Sequence, residues 1–456
     1  MSEEDASVAR PSSAAQPQTG EPAARVADAS GIPATRIHQD ALRVVSRLSR
    51  NGHEAYLVGG CVRDLLLGRS PKDFDVATAA HPRQIRALFR NARIIGRRFR
   101  LAHVVYGDHI VETATFRTKP PQSEDEEDDP LIREDNAFGT AVEDALRRDF
   151  TINGLFLDPL SGKILDYVGG LADLEAGVLR TIGDPVVRIA EDPVRILRAI
   201  KFATRLGFRI DEATWSAMIE HAPLLTRSAP ARVVEEILRL LHSGTSLGAF
   251  RMLRACGALA ILLPEIDDYL GRRDDPDPAA HDRADQYWRL LEALDSDVHA
   301  GRAPSRALAL SVVWLRIVER EAERARTGGS HDPGDLYRAA EVVLDRSAAS
   351  ARLPRKDTAI ARKMISDQPR FALGAQNNPR TLLFLREPDL PESLNLLRLR
   401  VSAWGQGWDV YEGWLASYEQ ARALPDDEVA RLRNKKRRRR RGRGRGAARS
   451  GGGEPS

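Results

Sequence analysis

A chain of 456 residues, 42% of them hydrophobic, is long enough for two to four domains with cores of their own. Only Cys61 and Cys256 are present, which excludes a disulfide framework or a cysteine-rich zinc site and points to a reducing, cytoplasmic setting. No apolar run approaches the roughly 18 residues that span a bilayer, and the acid-bearing start has no apolar core of a secretory signal.

The net charge of +4 hides an asymmetry. Residues 431–449, "RLRNKKRRRRRGRGRGAAR", hold 12 Lys/Arg and no acid, so the remainder carries −8. A mildly acidic body with a basic arm (Arg437, Arg438, Arg439, Arg440, Arg441, Arg443 and Arg445 at its centre) suits electrostatic binding of nucleic acid; a solubilising tail is the plainer reading.

In chain order, residues 1–35 are Ala/Ser/Pro-rich and read as a disordered tail. "HQDALRVVSRLSRNG" places Ala41, Val44, Val45 and Leu48 on one helical face and closes at Gly52. "EAYLVGG" reads as a strand ending in a glycine pair, "CVRDLLLG" as a helix, "KDFDVATAA" as the next strand and "HPRQIRALFR" as a helix with Pro82 near its start. "LAHVVYGDHIVETATF" predicts a hairpin turning at Gly107-Asp108. Six consecutive acids, Glu124 to Asp129, sit in a proline-flanked loop. Beyond about residue 185 the pattern is helical, with a polar interruption near 326–334.

Several stretches carry chemistry. Gly59 and Gly60 between a strand and the helix bearing Arg63 would let backbone N–H groups approach a phosphate, although a tight turn explains them equally. Asp73 and Asp75, spaced two apart, face one way if their segment is a strand, and burying both charges is costly unless something offsets them: a lysine, a pair of metal ions, or merely water at a strand end. Glu112 alternates with apolar neighbours, so it is either a third acidic ligand or a solvent-facing residue. In "RRDFTING", helical spacing would align Asp149 with Asn153, and Asp149 could instead cap a helix. His281-Asp282 lacks companion histidines and reads as a solvated loop.

The stretches "YLVGGCVRDLLLGRSPKDFDVAT", "GRRFRLAHVVYGDHIVETATFR", "RRDFTINGLFLD", "DYVGGLADLEAGVLRTIGDP" and "EDPVRILRAIKFATRLGF", in that order, resemble the successive motifs of the bacterial class II nucleotidyltransferases. That family unites poly(A) polymerases with CCA-adding tRNA nucleotidyltransferases. "LPESLNLLRLRVSAWGQGW" resembles, more loosely, the C-terminal RNA-binding region of the poly(A) polymerases. The resemblance implies an α+β fold: a small mixed-sheet, polymerase-beta-like catalytic head (36–180), a helical neck with base recognition (181–245), a helical body and RNA-binding region (246–425) and a disordered basic arm (426–456).

By the same resemblance, Gly59, Gly60 and Arg63 would hold a triphosphate, and Asp73 and Asp75 two magnesium ions. Asp149 or Glu112 would supply the third carboxylate, and Arg148 and Asn153 would contact triphosphate and sugar. Asp192 and Arg195, with Arg198 a turn further on, match the pair that reads the base; a carboxylate accepts from an exocyclic amine while a guanidinium donates to a ring nitrogen. Asp192-Pro193 also suits a plain helix N-cap. "GRRFRLAHV" looks like the poly(A) version of its segment, so the implied activity is template-independent addition of AMP from ATP to RNA 3′ ends, of mRNA, small RNA or tRNA. CCA addition is the alternative within the family, and an inactive RNA-binding protein on the same fold the alternative outside it.

Overall fold

The structure is a computed structural model that describes residues 24–29, 31–96, 100–118, 137–272, 275–325, 333–350, 353–372, 374 and 379–425. The acidic loop at 124–129, the arginine arm and the centre of the "GRRFR" stretch lie outside the described residues. The chain divides into two compact units, one ending at Gly183 and one beginning at Asp184.

The first unit is built on an eight-stranded mixed sheet. Its elements are β1 (Arg25–Asp28), α1 (Gln39–Arg50), β2 (Ala55–Val58), α2 (Gly60–Leu66), β3 (Asp75–Thr78), α3 (Pro82–Leu88), β4 (Ala92–Ile95), β5 (Leu101–Tyr106), β6 (His109–Thr115), α4 (Ala141–Arg147), β7 (Leu155–Asp158), β8 (Lys163–Asp166) and α5 (Gly170–Glu175). The strand order is β1-β8-β7-β2-β3-β6-β5-β4. Only β3 and β6 run parallel among the paired neighbours; the crossover between them carries α3 and the β4–β5 pair.

Strand alternation sorts the two faces. One face packs Val58, Ala77, Phe116 and Phe156 against Ala141 and Ala145 of α4. On the other, α1 lies over β2, β3 and β6, burying the Ala41, Val44, Val45 and Leu48 stripe that the sequence pattern marks out. Fully burying a side chain of this size is worth about 1.5–3 kcal/mol, so this stripe fixes α1 to the sheet.

The tail expected over residues 1–35 is corrected at its C-terminal end. Residues 25–28 form β1, paired antiparallel with β8 through Arg25↔Asp166 to Asp28↔Lys163. Its Val26 is 53% exposed, so backbone pairing rather than apolar burial holds this edge strand.

The second unit is mostly helical over its described residues, with one two-residue strand at Arg209–Ile210. It begins with α6 (Pro185–Glu191), α7 (Arg195–Leu206), α8 (Glu212–His221) and α9 (Pro230–Leu241). Residues 246–262 form two helices, α10 (Ser246–Ala255) and α11 (Ala258–Leu262), broken where Gly257 takes φ +78°. Then follow α12 (Pro264–Leu270), α13 (Pro278–His299), α14 (Arg306–Arg324), α15 (Pro333–Ser350), α16 (Arg355–Phe371), α17 (Pro379–Leu385), α18 (Leu390–Trp404) and α19 (Trp408–Ala423). His281-Asp282 lies inside α13, not in a loop. Phe371, Phe384, Leu394, Leu397 and Trp414 form a core that binds α16 to α19 together. Among the described residues, no helix is long and apolar enough to cross a membrane.

Candidate active site

The carboxylates come together because of register. Asp75 opens β3 and pairs directly with Glu112 of the parallel strand β6, so both side chains leave the same face of the sheet. Asp73 lies in the bend just before β3, outside the strand, so alternation alone does not orient it. Its charge nevertheless reaches Asp75, whose pKa is pushed up to about 6 by burial first, then by Glu112, with Asp73 adding to the rise and Arg148 opposing it. Glu112 is exposed on the strand and its Oε1 stands 3.6 Å from Nε2 of His103, its register partner on β5. The histidine was not singled out from the sequence, although its place across the hairpin from Glu112 follows from the turn at Gly107-Asp108.

The glycine turn lies at the end of β2, next to β3. Gly59 has φ +73° and ψ −131°, a conformation restricted to glycine, and a Cβ there would stand 3.1 Å from Nη1 of Arg148. It is the residue before α2, whose first N–H groups have no intrahelical acceptor. Cys61 inside this turn is buried, donates to the Val58 carbonyl at 3.2 Å and has its thiol pushed up to about 12 by burial, so it is an inert packing residue.

Arg148 caps the end of α4. It donates to Asp144 through Nε and Nη2, at 3.2 and 2.9 Å, and lies over the Phe156 ring at 5.2 Å. Asp144, 6% exposed and also accepting the Arg117 N–H, is a brace that the sequence reading missed; its i, i+4 spacing from Arg148 was the available signal.

Arg63 behaves differently from the expectation that it holds a triphosphate. It is 3% exposed, its Nε and Nη2 donate to Asp64 at 2.9 and 2.7 Å, and its Nη1 donates to Asn153 Oδ1 at 2.6 Å. Asn153 in turn donates to Asp149 Oδ1 at 3.1 Å, which also accepts the Phe150 N–H at 2.8 Å. Asp149 and Asn153 do meet, but not on one helix: α4 ends before Asp149, and Asn153 closes a single 3-10 turn, Thr151–Asn153. The result is a chain of contacts, Asp64–Arg63–Asn153–Asp149, beneath the glycine turn. Asp149 is not among the groups that shift Asp75, whereas Glu112 is.

The residues expected to read the base lie in the second unit. Asp192 ends α6 rather than starting α7, which corrects the N-cap reading. Its carboxylate receives Nη1 and Nη2 of Arg232 from α9 at 3.1 and 2.7 Å. Arg195 donates to the Arg188 carbonyl and lies 3.6 Å from Glu191, while Arg198 lies 5.5 Å above the Phe202 ring and 3.8 Å from Glu236.

Three family models match: "Poly A polymerase head domain" over residues 55–180, "Probable RNA and SrmB- binding site of polymerase A" over 207–270, and "Polymerase A arginine-rich C-terminus" over 329–446. The chain is 36% identical over 417 residues to poly(A) polymerase I of Salmonella typhi, covering 88% of each. The chain belongs to the poly(A) polymerase family. It is a nucleotidyltransferase, with the mixed-sheet head and helical remainder expected from sequence. The family's CCA-adding branch is more distant in coverage: a Geobacillus CCA-adding enzyme is 37% identical over 258 residues, 56% of this chain and 60% of that one. The crystal structure of the Bacillus stearothermophilus CCA-adding enzyme in complex with CTP shares the fold, with a TM-score of 0.52 at 24% identity over 89% of this chain and 98% of that chain.

For this poly(A) polymerase family member, the glycine turn gives a direct prediction. Gly59→Ala is expected to raise KM for the nucleotide at least several-fold, because the new methyl group meets Arg148 and the backbone must leave its φ +73° conformation. Steady-state kinetics with varied ATP check this; an unchanged KM would separate the turn from nucleotide binding.

Proposed function

We propose that the protein extends RNA 3′ ends with AMP taken from ATP, without a template, and releases pyrophosphate. The observation that carries this reading is the direct register pairing of Asp75 with Glu112, with the charge of Asp73 reaching Asp75, beside Arg148 and Gly59. The new bond joins the RNA 3′ oxygen to the α-phosphorus, and the bond to the pyrophosphate oxygen breaks.

Asp73, Asp75 and Glu112 are the residues that would hold magnesium. The donor chemistry fits, since hard oxygen ligands favour that ion, and the pKa of Asp75, raised first by burial and then by Glu112 despite Arg148, marks a buried carboxylate crowded by a second acid. Among the described residues the three do not close to within 4.8 Å of one another, and a two-ion centre, with ions about 3.5–4 Å apart, spreads its ligands more widely than one ion does. When bound, magnesium ions supply charge stabilisation at the transferring phosphoryl group and a more reactive 3′ hydroxyl.

The remaining residues bind and orient. Arg148 and the N–H groups around Gly59 and Gly60 face the triphosphate. Asp149 and Asn153 present polar groups to the sugar, and Arg63 positions Asn153 from beneath. In the helical unit, Asp192 and Arg195 would read the adenine edge, and Arg198 would support them. The Arg232 pair on Asp192 does not oppose this, because Arg232 is 56% exposed and such surface pairs exchange at little cost. The arginine arm supplies charge for the RNA backbone.

CCA addition is the second reading, favoured by the Geobacillus relative that is 37% identical over 258 residues. Extension of a short RNA and of a tRNA lacking its terminal CCA, with each triphosphate separately and with CTP and ATP together, all with magnesium, decides between them. Growth beyond three nucleotides with ATP alone is expected. Arrest after C-C-A on the tRNA would establish the second reading, and tight RNA binding without incorporation of any nucleotide would defeat both.

A further inference from the structure

We propose that His38, Asp40 and His109 form a binding site for a zinc-class divalent cation, separate from the catalytic carboxylates. His38 is the residue before α1, Asp40 lies in the first turn of α1, and His109 opens β6. Ligand atoms from all three lie within 4.8 Å of one another, and this is the only such trio of His, Cys, Asp or Glu among the described residues.

The distances favour a shared ion over hydrogen bonds. Asp40 Oδ2 stands 3.6 Å from His38 Nδ1 and 3.4 Å from His109 Nδ1. These are longer than an N–H···O bond of about 2.7–3.2 Å. They match the edge of a tetrahedron whose metal–ligand bonds are about 2.0–2.2 Å, roughly 3.3–3.6 Å. His109 Nδ1 is sealed from solvent and has no hydrogen-bond partner, so a buried ring nitrogen stands beside the carboxylate with no hydrogen bond to engage it. The two imidazoles lie nearly face to face, centroids 3.8 Å apart at 30°, and sharing an ion requires one ring to turn. His38, with a side chain 44% exposed, is free to do so, exchanging its long 3.3 Å contact with the Asp40 N–H for the ion.

The neighbouring charge leaves the site available. Arg43 takes Asp40 Oδ1 at 2.8 Å, leaving Oδ2 for the histidines. Two imidazoles and one carboxylate, with a fourth position open to water, select zinc, cobalt or nickel over magnesium, which prefers oxygen donors alone.

The placement also gives the ion a purpose. His109 and Glu112 are three apart on one strand and therefore leave opposite faces, so the ion lies on the α1 side while the catalytic acids lie on the other. Phe74, between Asp73 and Asp75, has its ring centroid 6.3 Å from that of His38. An ion bridging α1 and β6 clips two segments far apart in sequence behind the loop that carries the catalytic aspartates.

The test is cobalt titration of the full-length protein, read by the visible band of a four-coordinate cobalt ion, with zinc calorimetry and a thermal melt alongside. One equivalent is expected to give the band and raise Tm by several degrees. His109→Ala and His38→Asn, the latter keeping a capping oxygen, should each weaken zinc binding at least tenfold, while Asp75→Asn leaves it unchanged. No band in the wild-type protein would overturn the proposal. So would a band that survives both histidine substitutions, or one lost with Asp75→Asn.

Discussion

Asp75→Asn is expected to abolish nucleotide incorporation while making the metal-free protein more stable. The loss should exceed about a thousandfold, because removing a carboxylate proposed to hold magnesium would forfeit several kcal/mol of transition-state stabilisation and each 1.36 kcal/mol is tenfold in rate. The gain follows from the pKa of Asp75, raised from 3.8 to about 6 by burial and by Glu112. A raised carboxylate pKa means that the folded state resists ionisation more than the unfolded chain does. Above pH 6 the charged group therefore costs stability, of the order of 1–3 kcal/mol after allowance for residual solvent screening. As pH falls from about 6 towards 3.8 the folded protein takes up the proton first, and that cost disappears. Thermal melts in EDTA should accordingly show the variant ahead of wild type at pH 7.5, with the gap closing near pH 5. A variant that melts no higher at pH 7.5 would show that Asp75 is not strained by its neighbours, and one that still incorporates AMP would remove it from the catalytic centre.

The same residue shows how much of the site was readable from sequence. Two acids at alternate positions, followed by an apolar strand, predict a shared face, and a hairpin with Glu112 on its second limb predicts a neighbouring acid. What spacing does not provide is that β3 and β6 are adjacent and parallel with Asp75 opposite Glu112, because that register is set by packing between distant segments. The choice between Glu112 and Asp149 stayed open in the sequence for this reason. The helix α1 was legible because its apolar stripe is regular; β1 was not, because Arg25–Asp28 contributes a single large apolar residue and that one faces solvent. The short β7–β8 hairpin was hidden within "FTINGLFLDPLSGKILDY", where each strand is four residues long, β7 is buried on both faces and so shows no alternation, and β8 puts Asp166 at a buried position. For His281-Asp282 the signal was present: Asp277 before Pro278 is an N-cap followed by proline at the first helical position, and α13 begins there.

Arg63 separates the motif from the structure most sharply. As a triphosphate ligand, its loss would raise KM for ATP and leave the fold intact. Its surroundings predict the opposite order of effects. The guanidinium is 3% exposed, and three of its nitrogens are engaged by Asp64 and Asn153. Arg63→Ala leaves the buried Asp64 carboxylate, 6% exposed, without this counter-charge, and breaking a buried pair in that way costs about 3–5 kcal/mol. For a unit of this size each kcal/mol moves Tm by about 2–4 °C, so a fall of roughly 10 °C is expected. Arg63→Lys should recover little, since one ammonium cannot reproduce a fork that serves Asp64 and Asn153 together. The decisive measurement is the double variant Arg63→Ala/Asp64→Ala. If the cost is the stranded charge, the pair of substitutions is less damaging than the sum of the singles, by a coupling of about 0.5–3 kcal/mol. At a temperature where the double variant remains folded, KM for ATP should rise only as far as Asn153 and Asp149 lose their support. A normal melt for Arg63→Ala, combined with a large KM effect, would instead return this arginine to direct contact with the phosphates.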